Sequence, residues 1–395
     1  NNSVNQHPQE ERTQDMLYYA APMEGITTYI YRRAHARFYG GIDKYFTPFI
    51  AGKKMTTRET RDVLPENNEG VVLVPQILTN KAGDFLEIVR RLAAYGYDAV
   101  NLNLGCPSGT VAARKRGAGF LSEPEALDAF LYEIYEKCPL KISVKTRLGI
   151  SDPDEWDRLL SVYAKYPLQE LIIHTRLLQE FYTGTTHPEA YALAARRLRA
   201  ADGGQTWSAG TPLCYNGDIL SAESLADVQA RVAAFIDDSD SCDRYGRNDE
   251  NDSRGETDDS FVHPPVIDRV MIGRGLLRNP ALATQLRTAS LTAADLTAQS
   301  QAHSKNTEIL RAFHDEILDG YREIMSGDLP VLFKMKDLWT YMIMNFTPTD
   351  PSHSPEGSGP DRQSVAKYLK KIRKAERIPE YLLAVDTLFR ECCVC

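Results

Sequence analysis

A chain of 395 residues is two to three times the usual domain length, which excludes a short binding module and points to one large barrel with an appendage or to two ordinary domains. Its 43% hydrophobic and 25% charged residues are the balance of a soluble globular protein able to bury a large core, so global disorder is excluded. The formal charge of −8 excludes a uniformly basic nucleic-acid binder, but ten acidic and three basic residues between Asp237 and Asp259 supply nearly all of it, so local patches matter more than the total.

Residues 1–16 form a polar tail with no apolar stretch to act as a signal peptide. From Leu17 onward, short β-rich apolar runs alternate with longer amphipathic stretches. Eight strands are predicted: LYYAAPM from Leu17, KYFTPFI from Lys44, VVLVPQIL from Val71, AVNLNLG from Ala99, LKISVKTRL from Leu140, ELIIHTR from Glu170, PLCYNGDI from Pro212 and RVMIGRG from Arg269. Between them, helical spacing puts Phe85, Ile88, Val89 and Leu92 on one face, and Leu127, Phe130, Leu131 and Ile134 on another.

Eight strand-helix units over about 250 residues predict an α/β fold, a (β/α)8 TIM barrel spanning 17–299. Strands buried on both faces explain the continuous apolar runs. A doubly wound open sheet fits less well, because no glycine-rich dinucleotide fingerprint follows the first strand. The acidic, Ser-, Asn- and Gly-rich stretch 237–265 reads as a solvated, disordered insertion before the eighth strand. From 300 to 395 the pattern is helical, with Leu310, Phe313, Ile317, Tyr321 and Ile324 in one stripe, and predicts a helical bundle domain packed on the barrel.

No uncharged apolar run approaches membrane-spanning length. Seven scattered cysteines make neither a disulfide framework nor a metal-ligand spacing, and Cys392, Cys393 and Cys395 lack a second ligand pair, so a reducing, cytoplasmic setting without a metal is expected.

Active sites of parallel barrels lie at the C-terminal strand ends, and several polar residues stand there. The NGD of Asn216, Gly217 and Asp218 and the GRG around Gly273 and Arg274 are glycine loops able to bring backbone N–H groups to an anion, or simply tight turns. Lys145, Gln76 and His174 offer donors from three strands to one flat electron-accepting ring; alternatively Lys145 closes a buried ion pair and His174 is a core histidine. Cys106, between Gly105 and Pro107, sits where a thiol could be a nucleophile or a proton donor. Basic residues cluster at Arg32, Arg33 and Arg37, at Lys53, Lys54, Arg58 and Arg61, at Arg114 to Arg116, and along Lys367 to Arg377, as solvated faces or as a seat for a polyanion.

The segments APMEGITTYIYRR, VPQI, NLNLGCPSGTVAARKRGAGF, SVKTRLG, HTRLLQEFYTG, YNGDI and MIGRGLLRNP, in that order, resemble the tRNA-dihydrouridine synthases. The resemblance covers the barrel from Ala20 to Pro280, and the helical tail is similar to that family's tRNA-binding domain. It implies an enzyme that uses FMN, with NADPH as reductant, to reduce the C5–C6 double bond of particular tRNA uridines. Pro22, Met23, Gln76, Lys145, His174, Asn216, Gly217, Asp218, Gly273 and Arg274 would surround FMN. Reduced flavin would pass a hydride to C6 and Cys106 a proton to C5, with Asn103 and Arg176 holding the flipped base. Leu177, Leu178 and Glu180 stand where the family commonly has Thr, Arg and Gln. A flavin barrel acting on a free small molecule, like dihydroorotate dehydrogenases or ene-reductases, and a non-catalytic RNA-binding barrel are the competing readings; the basic helical tail speaks against the first and a bound chromophore would exclude the second.

Overall fold

The structure, a computed structural model, describes residues 16–199, 210–237, 267–288, 299–348 and 362–394. The stretches 1–15, 238–266 and 349–361 therefore lie outside the described residues, and with them nearly all of the expected acidic insertion.

Nine parallel strands, β1 (Leu17–Ala20), β2 (Lys44–Phe46), β3 (Leu73–Val74), β4 (Gln76–Ile77), β5 (Ala99–Leu104), β6 (Lys141–Thr146), β7 (Leu171–His174), β8 (Leu213–Asn216) and β9 (Arg269–Ile272), form one sheet in the order 3-2-1-9-8-7-6-5-4. The two ends of that order are consecutive in the chain, so the sheet closes into the expected TIM barrel. Only the third predicted strand differs: it is split at Pro75, which has no N–H for the ladder, while the Pro75 carbonyl still accepts from Asn101 at 2.9 Å.

Strand alternation sorts the two cores. Tyr18 and Ala20 of β1 pack outward with the barrel helices, including the Phe85, Ile88, Val89 and Leu92 face of helix Ala82–Ala94, whereas Tyr19 and Ala21 pack with Phe46, Ile172, Cys214 and Met271 in the interior. The N-terminal end is plugged by the buried carboxylate of Glu170, which accepts from the Tyr19 hydroxyl at 2.7 Å and lies 3.2 Å from Arg269. Lys44 is 3.6 Å from the same carboxylate.

The C-terminal region contributes helices Gln299–Ile324, Asp328–Met342, Arg362–Lys374 and Ile378–Glu391. Leu310, Phe313, Ile317 and Tyr321 are buried as the stripe predicts, and they share one core with Tyr29, Ile30, Tyr31 and Ala34 of the first barrel helix, Tyr29–Phe38. Gly320 allows this approach, since a Cβ there would stand 2.8 Å from Ile30 Cγ2. An all-helical tail is not what is found: Phe346–Pro348 and Cys392–Val394 form an antiparallel ribbon, in which Cys392 is buried and packed. Among the described residues no cluster of His, Cys, Asp and Glu could hold a metal ion, and no helix is long and apolar enough to cross a membrane.

Candidate active site

A cavity of about 280 Å³ opens at the C-terminal ends of the strands, and the loops after β1, β2, β5, β7, β8 and β9 all reach it. Of the sequence-predicted residues, Pro22, Met23, Gln76, Asn103, Cys106, Lys145, His174, Asn216, Gly217, Asp218, Gly273 and Arg274 line it. Arg176 does not. It is buried beside Asp218, donating to that carboxylate at 2.6 Å and to the Gly184 carbonyl at 2.8 Å.

A chain of amides sets the floor. Gln76 Nε2 donates to Asn101 Oδ1 at 2.8 Å, and Asn103 Nδ2 donates to Gln76 Oε1 at 2.7 Å. Asn103 Oδ1 then accepts the N–H groups of Gly105 and Cys106 at 3.0 and 2.9 Å, so this side chain fixes the loop that carries the thiol. The same loop is braced from behind, where Ala118 N–H donates to the Cys106 carbonyl at 3.0 Å. Gly117, at φ +54°, makes that contact possible, because a Cβ would lie 2.8 Å from the Cys106 carbonyl oxygen. The R-G-A-G-F sequence is thus a packing requirement of the cysteine loop.

The site carries more positive than negative charge. Lys145 has no ion-pair or hydrogen-bond partner among the described residues, and burial, reinforced by Arg147, lowers its pKa to about 7. Arg147 is buried without a carboxylate; its guanidinium donates to the carbonyls of Gly105, Leu177 and Phe181 at 2.9, 2.8 and 2.7 Å. Asp218 is shared by Arg176 and Arg274, and although burial raises its pKa, these two guanidiniums outweigh that and keep it ionised. Burial and the surrounding cations hold His174 well below the usual imidazole range, so it is neutral at pH 7. The Cys106 thiol is pushed up by burial and stays protonated at neutral pH.

Several lining residues carry no signal that the strand-end reading used. Pro48 and Phe49 follow β2, a strand whose apolar end offers no polar group to mark it. Tyr182 lies between Arg147 and Arg274, each guanidinium 5.4 Å from its ring, and stacks on His174 at 6.2 Å. Glu24 sits at the rim in a 2.8 Å pair with Arg58, and Tyr341 comes from the helical region. Glu180, one of the departures from the family pattern, accepts from the Leu177 N–H at 2.6 Å and pairs with His187 at 2.8 Å, fastening its own loop.

This arrangement, an uncompensated lysine and a protonated thiol facing one cavity at the mouth of a closed parallel barrel, coincides with a family model. The model described as dihydrouridine synthase (Dus) matches residues 19–234. The chain belongs to the dihydrouridine synthase family. Similar relatives are the "Probable tRNA-dihydrouridine synthase" of Staphylococcus epidermidis (strain ATCC 12228), 27% identical, and the "Probable tRNA-dihydrouridine synthase 2" of Bacillus subtilis (strain 168), 26% identical. Each similarity covers 67% of this chain and 70% of the relative. The match to the Dus family model ends before β9, yet Gly273 and Arg274 after β9 complete the cavity, so this Dus barrel draws its site from beyond the matched stretch.

Of the basic clusters, Arg32 belongs to the interior instead: it is 1% exposed and bonded to the Thr27 and Asp62 carbonyls and to Asn68. Lys367, Lys370, Lys371, Arg373, Lys374 and Arg377 are all exposed on or just beyond helix Arg362–Lys374. Arg373 reaches Thr340 at 3.4 Å, next to the cavity-lining Tyr341.

Proposed function

We propose that this chain is a cytoplasmic, FMN-dependent tRNA-dihydrouridine synthase, reducing the C5–C6 double bond of specific uridines in tRNA with NADPH as the reductant. The observation that carries the reading is the pairing of an unpartnered Lys145 with a neutral Cys106 thiol in one cavity. The donor set fits a flavin: Lys145 can face the pyrimidine edge, where negative charge accumulates on reduction, and Arg274 with the Gly217 and Gly273 turns suits a phosphate. Gln76, His174, Asn216, Asp218, Pro22 and Met23 supply the remaining walls.

When bound, the flavin supplies the hydride that reduces C6 of the uracil. Cys106 gives its proton to C5, a role its burial favours by keeping the thiol protonated. Asn103 has one Nδ2 proton left after bonding Gln76, and presents it toward the base edge while positioning the Cys106 loop. Arg176, buried and away from the cavity lining, acts through Asp218 rather than on the base. Tyr182 and Tyr341 at the mouth offer an extruded base two aromatic faces and exclude water.

The basic helix favours RNA over a free small molecule, which needs no exposed cationic face linked through Thr340 to the cavity mouth. The test is to incubate unmodified tRNA with the FMN-loaded protein and NADPH and to map dihydrouridine by mass. Cys106→Ala is expected to retain flavin reduction and lose product formation by roughly 10²–10⁴-fold. Unchanged product formation would remove Cys106 from the mechanism.

A further inference from the structure

A second cavity, of about 300 Å³, shares the segment after β1 with the catalytic one: Pro22, Met23, Glu24 and Ile26 line the first, and Thr28, Tyr29 and Ile30 line the second. Its other walls come from helix Thr57–Val63 and from the helical region, so it lies between barrel and bundle. The half-buried Ile324 and Met325, backed by the buried rings of Tyr29 and Tyr321, give it an apolar surface.

Three cations, Arg58, Arg61 and Lys334, also line it. Two are engaged. Arg58 pairs with Glu24 at 2.8 Å, and the Lys334 ammonium donates to the Gly25 carbonyl at 2.9 Å. The Arg61 guanidinium has no ion-pair or hydrogen-bond partner among the described residues. The only carboxylate of the lining, Asp62, is buried and committed, accepting the Tyr29 N–H at 2.7 Å and standing 3.8 Å from Arg32. A guanidinium fork lining the same cavity as apolar side chains is half of a recognition site whose other half is an apolar body carrying a phosphate.

We infer that this slot binds a nucleotide unit, with its base against the half-buried Ile324 and Met325 and its phosphate on Arg61. The chemistry has two sources, a tRNA residue flanking the target uridine or a free nucleotide such as the reductant; both sources rest on the function proposed above, whereas recognition of the unit itself does not. A phosphate in the slot also draws on Arg58 and Lys334, the two cations that hold Glu24 and Gly25, so occupancy is coupled to the wall of the catalytic cavity.

The experiment uses the full-length FMN-loaded protein with ¹³C-labelled Met and Ile methyl groups. Met325 and Ile324 report on the slot and Met23 on the catalytic cavity. Titration with 5′-UMP is expected to shift Met325 and Ile324 saturably, with uridine or inorganic phosphate alone at least about tenfold weaker, as loss of a charge-assisted hydrogen bond predicts. Arg61→Gln should weaken UMP at the slot by a similar factor, and Met325→Trp should fill the slot and abolish the Ile324 shift. Shifts of Met23 alone, a response to hexanoate but not to UMP, or unchanged UMP binding in Arg61→Gln would overturn the inference.

The source is then read from steady-state kinetics of Arg61→Gln. A raised KM for tRNA at unchanged kcat assigns the slot to the RNA, and a raised KM for NADPH assigns it to the free dinucleotide. If the parent protein forms no dihydrouridine, the functional proposal fails while the UMP titration still decides the slot.

Discussion

The buried Arg176 guanidinium donates to Asp218 at 2.6 Å, and Asp218 is its only acidic partner among the described residues; Arg176 Nε and Nη1 have no hydrogen bond there. Asp218→Asn therefore leaves a buried cation without its hydrogen-bonded counter-charge. The carboxylate is 37% exposed, so water recovers part of the loss and the expected cost is about 1–3 kcal/mol at pH 7. Because the folded-state pKa of Asp218 is depressed, its stabilisation is fully present above the ordinary carboxylate range and is lost as pH falls through the folded-state pKa. Urea unfolding of parent and variant should diverge at pH 7 and converge only as the pH is taken down through the depressed folded-state pKa. Parallel curves across that range would remove the ion pair from the stability of the loop.

Lys145 behaves in the opposite sense. Its pKa is lowered to about 7 by burial, so below pH 7 the folded protein bears the cost of an ammonium partly withdrawn from water at the cavity wall. Between pH 7 and the ordinary lysine pKa near 10.4 the unfolded chain binds the additional proton, and stability rises with pH. Lys145→Met is expected to stabilise the flavin-free protein, on the order of a few kcal/mol below pH 7, with the gain shrinking to nothing above pH 10. It should also abolish tight FMN binding. A variant less stable than the parent at pH 6 would mean that Lys145 has a counter-ion in solution.

Most of the site is legible in the sequence because strand ends of a parallel barrel must converge. Once eight runs are read as strands, Gln76, Cys106, Lys145, His174, Asn216 and Arg274 have to meet, and they line one cavity. What the sequence withholds is pairing at long range. Nothing local marks Arg32 as buried among Thr27, Asp62 and Asn68, or says that Arg176 turns to Asp218 instead of the cavity. Tyr341 reaches the mouth only because a helix far along the chain docks there, and such docking is set by tertiary packing, which no local pattern encodes. The split at Pro75 follows from the missing N–H, whereas the terminal ribbon of Phe346–Pro348 with Cys392–Val394 hides in strands too short to show a period.

Gly117 couples packing to catalysis. At φ +54° and with the Cys106 carbonyl oxygen 2.8 Å from where its Cβ would be, Gly117→Ala must displace the cysteine loop or unfold the turn. The expected result is a loss of about 1–3 kcal/mol in stability. Alkylation of Cys106 by iodoacetamide should become faster in the same variant, since the loop no longer packs against 117–118. Parent-like stability and parent-like alkylation would show that the turn accommodates a side chain without moving the thiol.

The exposed face of helix Arg362–Lys374 gives the proposed RNA its electrostatic signature. Lys370, Lys371 and Lys374 have no ion-pair partner among the described residues, so each is free to neutralise a phosphate. Lys370→Glu, Lys371→Glu and Lys374→Glu together should weaken tRNA binding by several orders of magnitude at low salt. For each phosphate that is no longer neutralised, the slope of log affinity against log salt should become shallower by about 0.9 on duplex RNA and about 0.7 on a single strand. The side chains are exposed, so the flavin spectrum should stay at its parent value, while thermal stability falls modestly because Lys371 and Lys374 occupy the last helical turn, where a negative charge opposes the helix dipole. Fluorescence anisotropy with labelled tRNA across a salt series measures both quantities, and an unchanged slope would place the RNA on another face of the molecule.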